Sequence, residues 1–249
     1  MAFLLSNDDG AHAPGLAQLT LSLKEAGYEC HVIAPDRDCS GVSNSLTLDR
    51  PLHPLHLDNG FIAINGTPTD CVHLGLNALY RSEEFAIERV IAGINSGANL
   101  GDDVIYSGTV AAAMEGRFLD KAPIAISLVG KTHFATAAKV LVILLPQIEA
   151  LVLPERTLIN INVPDVPFEQ LKGIEITRLG HRSRSDNPVL TTNPRGKECY
   201  WISAAGDGAD AGEGTDFHAI EQGKVSITSI QADMTHKNAL ECLIPLTGI

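Results

Sequence analysis

Aromatic residues are scarce in this chain, at 5%, and positive charge is in deficit: 18 Lys and Arg stand against 30 Asp and Glu, a net charge of −12. The charge deficit argues against a nucleic-acid duplex or an anionic membrane as partner, because both are bound by clustered cations. A small phosphorylated substrate stays open if a bound cation reverses the field locally. The five cysteines are odd in number and form no C-x-x-C pair, which speaks against a disulfide scaffold or a zinc ribbon and for a reducing compartment. The longest apolar run, Val140 to Leu145, is halted by Pro146 and falls far short of a bilayer span. No basic segment accompanies the apolar stretch Met1–Leu5, so no secretory signal is read and a soluble, cytoplasmic protein is the expectation. A P-loop lysine motif is also missing, as is the Asp-x-Asp spacing that a haloacid-dehalogenase-type phosphatase needs.

What is present is alternation. The chain is 45% hydrophobic over 249 residues, enough for one large core. Ala2–Leu5 reads as a buried strand, Pro14–Ala26 as a helix closed by Gly27, and Cys30–Ala34 as a second strand. This is a βαβ unit, the building block of parallel sheets. Short strands around Asn59-Gly60 suggest a hairpin, and Thr67-Pro68-Thr69-Asp70 starts a helix running to about Leu79. A strand at Val90–Gly93, a helix at Thr109–Leu119, a strand at Ile124–Ser127, a helix at Phe134–Leu151 and a strand at Leu158–Ile161 follow. Beyond residue 172 strands are separated by loops. The expected fold is therefore α/β: a Rossmann-like, doubly wound, mostly parallel sheet over residues 1–171, with an antiparallel β appendage over 172–249.

Such sheets bind ligands beyond the carboxyl ends of their strands. After the first strand stands Ser6-Asn7-Asp8-Asp9-Gly10. Adjacent carboxylates at a buried strand end repel unless a cation or a proton separates them, and a hard divalent cation suits them: magnesium or manganese, with calcium third. Standing alone, Asp-Asp-Gly is more often a turn and helix cap. Ser40, followed by Gly41, could bring a hydroxyl to the same cleft, whereas Asp36 and Asp38 read as surface. The stretch Gly93–Gly116 places Asn95 just beyond its strand, as a counterpart of Asp8, and delivers Ser107-Gly108-Thr109 to the start of an alanine-rich helix. Free N–H groups among small residues at a helix start can cradle a phosphate. A metal cluster and a phosphate cradle on one sheet edge favour catalysis over a mere cap.

These segments resemble the SurE survival-protein family of 5′/3′-nucleotidases. The resemblance rests on residues 6–10, Ala34-Pro35-Asp36-Arg37 with Ser40–Ser43, Gly66–Val72, Gly93–Gly116, Asn160–Pro164 and Gly214–Phe217. It implies one divalent metal per subunit on Asp8, Asp9, Ser40 and Asn95, phosphate contacts from Asn95, Ser107, Gly108 and Thr109, and catalysis by Asp8, Asp9 and Asn95. It also implies hydrolysis of nucleoside monophosphates and short polyphosphate, in a homodimer or homotetramer joined by exchanged carboxy-terminal segments. Gln231–Ile249 follows the pattern loosely. The competing readings are a nucleoside hydrolase, which would release a base, and a non-catalytic nucleotide-binding protein. No histidine offers a general base, and His12 reads as an exposed loop residue.

Overall fold

The structure, a computed structural model, describes residues 1–82, 85–203 and 205–247. The first half alternates β1 (Ala2–Ser6), α1 (Pro14–Glu25), β2 (Glu29–Pro35), the hairpin β3 (Pro54–His56) and β4 (Ile62–Ile64), α2 (Pro68–Leu74), β5 (Ile87–Ser96) and α3 (Gly108–Glu115). Then come β6 (Ile124–Val129), α4 (Phe134–Glu149), β7 (Thr157–Pro164) and β8 (Ile174–Thr177). Short strands β9 (His181–Arg182), β10 (Val189–Thr192), β11 (Glu198–Trp201) and β12 (Gly208–Asp210) follow, then α5 (Asp216–Glu221), β13 (Val225–Gln231) and a one-turn helix, α6 (Leu240–Leu243).

Nine strands form one sheet in the order β3-β4-β2-β1-β5-β6-β7-β13-β8, parallel from β4 to β7. The strands are apolar on both faces because both are covered. Phe3 and Leu5 point into a core with Leu16, Leu19 and Leu141 of α1 and α4, while Leu4 points into one with Val72 and Val110 of α2 and α3. Strand β1 has β2 on one flank and β5 on the other, so connections leave it in opposite directions. The gap this opens lies beyond Ser6 and Ser96, at the switch point of the sheet.

Helix α2 begins as its sequence dictates. Thr67 Oγ1 accepts the Asp70 N–H, and Asp70 returns the bond to the Thr67 N–H at 2.8 Å. A π-turn, Gly75–Leu79, continues it to the expected end. Strand β5 is longer than the apolar run Val90–Gly93, because Asn95 and Ser96 still pair with Ser127 and Leu128 of β6. Asn95 therefore lies within its strand rather than beyond it.

The chain after residue 172 departs from the sequence reading in two ways. Strand β13 pairs antiparallel with β7 and parallel with β8, so the main sheet continues across residue 172. Among the described residues, only the β9–β12 and β10–β11 pairs stand apart from it. The loops there also hold a helix, α5, capped by Thr215; six residues are too few for an apolar period to register. The segment Gly208–Asp210 is a strand whose Asp210 pairs with Arg178.

Helix α4 starts without a cap from its own sequence, since His133 makes no side-chain capping bond. Asp165, just past β7, supplies it by accepting the N–H groups of Lys131, Thr132 and His133. Burial raises the Asp165 pKa, but these donors outweigh it and hold the group at about 2. A depressed carboxylate stabilises the fold above its unfolded pKa and loses that contribution as the pH falls. Asp165→Ala is expected to destabilise the fold by about 1.5–3 kcal/mol at neutral pH, the range for hydrogen bonds to a charged group. The deficit should close as the pH drops from 3.8 toward about 2. Urea melts of both proteins at several pH values test this, and a deficit that does not depend on pH refutes it.

Candidate functional site

Asp8 and Asp9 follow β1 at the switch point, in a turn closed by the Asn7 amide, which binds both the N–H and the carbonyl of Gly10. Three elements converge on this dipeptide. The Cys39 N–H, from the loop after β2, donates to the Asp8 carbonyl at 2.8 Å. The Ser96 N–H, at the end of β5, donates to Asp9 Oδ2 at 3.0 Å. The Thr109 hydroxyl, on the first turn of α3, donates to Asp8 Oδ1. The approach of α3 requires Gly108, where a Cβ would sit 2.7 Å from the Asp8 Cβ.

Neither carboxylate has a cationic side chain in ion-pair contact among the described residues. Asp8 is only 4% exposed. Burial pushes its pKa up to about 6; the Thr109 hydroxyl pulls it back, and the charge of Asp9 raises it again. Asp9 is also raised, first by burial and then by the charge of Asp38, while the Ser96 N–H and the charge of Lys131 lower it. Both carboxylates are thus held above their ordinary range, chiefly by burial.

The expected residues fall into three positions. Asn95 precedes the N–H that holds Asp9, and its amide nitrogen donates to the Gly97 carbonyl at 2.9 Å, which orients its oxygen as the free acceptor. Ser40 follows the N–H that holds Asp8, and its hydroxyl donates to Asp38 Oδ1 at 2.7 Å. Asp38 is exposed but not idle surface, since it fixes Ser40 and its charge reaches Asp9. Among the described residues no three His, Cys, Asp or Glu side chains gather as a metal site. A cation here would draw on two carboxylates plus amide and hydroxyl oxygens, an all-oxygen set that fits a hard divalent ion.

Helix α3 brings its first turn to the same place. Ser107 caps it, its Oγ accepting the Val110 N–H at 3.0 Å, and its carbonyl accepts the Ala111 N–H. That leaves the Gly108 N–H beside Asp8, while both the hydroxyl and the backbone N–H of the fully buried Thr109 bear on the Asp8 carboxylate. His12 is exposed, as expected.

The residues that hold residues 97–107 in place escape sequence reasoning. The Asn99 N–H donates to Asn162 Oδ1, its carbonyl accepts the amides of Asn160 and Asn162, and its own amide donates to Ser127. Asp216, wholly buried, accepts the N–H groups of Gly101 and Gly180. Arg182 forks onto Asp103. One signal was visible: Asn160 and Asn162 alternate on one face of a strand otherwise apolar.

The sequence profile described as Survival protein SurE matches residues 3–186. The chain belongs to the SurE survival-protein family. A 5'-nucleotidase SurE of Pseudomonas paraeruginosa is 58% identical over 241 residues, covering 96% of this chain and 95% of that protein. One from Pseudomonas putida is 56% identical over 245 residues, covering 98% and 97%. The crystal structure of the SurE protein from Aquifex aeolicus superposes with a TM-score of 0.85 at 41% identity, covering 99% of this chain and all of that one.

Thr109→Val removes the side-chain donor to Asp8 and leaves the backbone N–H groups untouched. Without that bond the Asp8 pKa should rise further above about 6. If Asp8 is the cation ligand proposed below, Mn²⁺ would be lost on acidification at a higher pH than in the wild type, and at neutral pH its affinity would fall by about 10–100-fold, the usual range for a residue that orients a metal ligand. Calorimetric titration with Mn²⁺ across the pH range decides this, and coincident binding curves would refute it.

Proposed function

We propose that this protein is a divalent-metal-dependent phosphohydrolase acting on nucleoside 5′- and 3′-monophosphates and on short polyphosphate. The observation that carries this reading is the meeting of Asp8 and Asp9 with the open first turn of α3 at the switch point of the sheet. The activity named for the Pseudomonas relatives, 5'-nucleotidase, supports it.

In this reading Asp8, Asp9, Ser40 and Asn95 hold one Mg²⁺ or Mn²⁺. The ion supplies Lewis-acid neutralisation of phosphoryl charge and favours ionisation of the attacking water. The Gly108 N–H takes a phosphoryl oxygen, aided by the α3 dipole. Ser107, by capping the helix, holds that group toward the substrate, and Asn95 contributes to both metal and phosphate. Thr109 keeps the Asp8 carboxylate in one rotamer, and Ser96 does the same for Asp9. Such positioning and electrostatic preorganisation are the main sources of catalysis in phosphoryl transfer.

The substrate is a small nucleotide rather than a duplex, in keeping with the net charge of −12. No helix among the described residues is long and apolar enough to cross a membrane. Self-association into a homodimer or homotetramer would use the β10–β11 hairpin, which stands off the main sheet with Val189, Leu190, Tyr200 and Trp201 exposed. Apolar side chains grouped on a projecting hairpin are a surface that a second subunit can cover.

Asp8→Asn and Asp9→Asn should each abolish phosphate release from a nucleotide panel while leaving the far-ultraviolet spectrum unchanged. In the wild type, activity should vanish with chelator and return with Mg²⁺ or Mn²⁺. Release of free base instead of phosphate would favour a nucleoside hydrolase, and binding without turnover a non-catalytic binder. The double substitution Tyr200→Ser with Trp201→Ser should shift sedimentation toward the monomer; an unchanged oligomer rules the hairpin out.

A further inference from the structure

A cavity of about 270 Å³ opens beside the first turn of α3. Ser107, Val110, Ala111 and Met114 line it, and their spacing of three and four places them on one face of the helix. Thr109 lies on another face and turns to Asp8, so the cavity and the carboxylates meet across the start of the helix. Two stretches of chain lead from one to the other. Ser107 lines the cavity, and the next residue, about 3.8 Å along the chain, brings the Gly108 N–H beside Asp8. The loop after β2 begins at Asp8, where the Cys39 N–H donates, and reaches the cavity with Ser43 and Asn44.

The walls are apolar and, among the described residues, no charged side chain lines them. Val110, Ala111 and Met114 form a buried floor with Leu179 and Ile230 beside it, and Ile105 and Met234 stand at the rim, 53% and 83% exposed. The two hydroxyls are already engaged. Ser43 Oγ donates to the Ile105 carbonyl at 2.7 Å, and Ser107 Oγ accepts the Val110 N–H at 3.0 Å. Asn44 differs: its Oδ1 accepts the Thr69 hydroxyl at 3.2 Å, which leaves the Nδ2 of this exposed residue as a donor. A phosphate would find no cation here. A flat, uncharged ring with a polar edge would find both of the surfaces it needs.

We propose that this cavity takes the nucleobase of the substrate while the phosphate stays at the start of α3. The inference rests on the phosphohydrolase reading above and assigns a place to the part of the substrate that is not transferred. An uncharged ring suits walls without charge, and covering its faces removes apolar surface from water. The thioethers of Met114 and Met234 make polarizable contacts to an aromatic ring and adapt to rings of different size. Asn44 offers an amide to the polar edge that every base presents. Such a site selects a nucleotide over a bare sugar phosphate and separates purine from pyrimidine only weakly.

Two substitutions test this in the full-length protein with Mn²⁺ present. Ala111→Leu fills the cavity from its buried side, and Ile105→Ser removes apolar surface at the exposed rim, where it should not endanger the fold. Phosphate release is measured from adenosine and uridine 5′-monophosphates and from ribose 5-phosphate, which carries the ester without a base. The wild type should favour both nucleotides over ribose 5-phosphate. Each substitution should lower kcat/KM for the nucleotides by about tenfold, chiefly through KM, and leave ribose 5-phosphate unchanged. Adenosine and uridine, titrated by calorimetry, should bind the wild type and bind each variant about tenfold more weakly. Equal losses for ribose 5-phosphate, or nucleoside binding that is absent or indifferent to both substitutions, would overturn the proposal. A protein that releases phosphate from none of the three esters would refute the phosphohydrolase reading instead, and the nucleoside titration would still decide the cavity.

Discussion

Two carboxylates on consecutive residues, with no basic side chain against them, must be held in place by something other than charge pairing. In this protein that task falls to hydrogen bonds from three separate elements: the loop after β2, the end of β5 and the first turn of α3. The requirement reaches into the sequence at each point. Gly108 has no side chain because Asp8 occupies that volume. Asn7 closes the turn that presents the pair, and Gly10 takes a φ of +101° in it, where other residues are strained. The apolar strands on either side serve to bring these ends together, and the switch in strand direction leaves space above them for a ligand.

The loop that leads into α3 depends on parts of the chain far from it. Residues 97–107 carry no regular hydrogen-bonded ladder apart from a short 3-10 turn, so their backbone groups need outside partners. Asn160 and Asn162 provide them from β7 and Asp216 from α5, while Arg182 of β9 holds the Asp102 and Asp103 carboxylates. The strands and helix beyond residue 172 therefore buttress the cradle as well as extend the sheet. A buried aspartate accepting two backbone N–H groups is strongly directional, which makes it suited to fixing a loop rather than merely covering it.

Much of the fold was legible in the sequence because the physics behind it is local. Apolar runs of four to eight residues broken by Gly and Pro mark buried strands, and the Thr67–Asp70 capping box marks a helix start on its own. The short elements were not legible. A six-residue helix or a two-residue strand has no period to detect, and β13 joins β7 through pairing that its own composition does not announce. The same division runs through the site. Asp8, Asp9, Asn95 and Ser107-Gly108-Thr109 were visible as short polar residues at strand ends and at a helix start. Asp38 and Asp216 were not, since an exposed loop aspartate and a helix-start aspartate look alike whatever they hold.

The sequence by itself determined the layered α/β class, the strand ends at which chemistry can occur and the oxygen-rich donor types found there, because burial, turn formation and capping each act within a few residues. Only the tertiary structure decided what those donors do. The Thr109 hydroxyl faces a carboxylate 101 residues away, the Ser96 N–H one 87 residues away, and the Gly101 N–H one 115 residues away. Such partnerships arise when packed elements bring distant backbone into hydrogen-bond range, and a hydrogen bond of about 3 Å is too short-ranged to be read from composition or spacing.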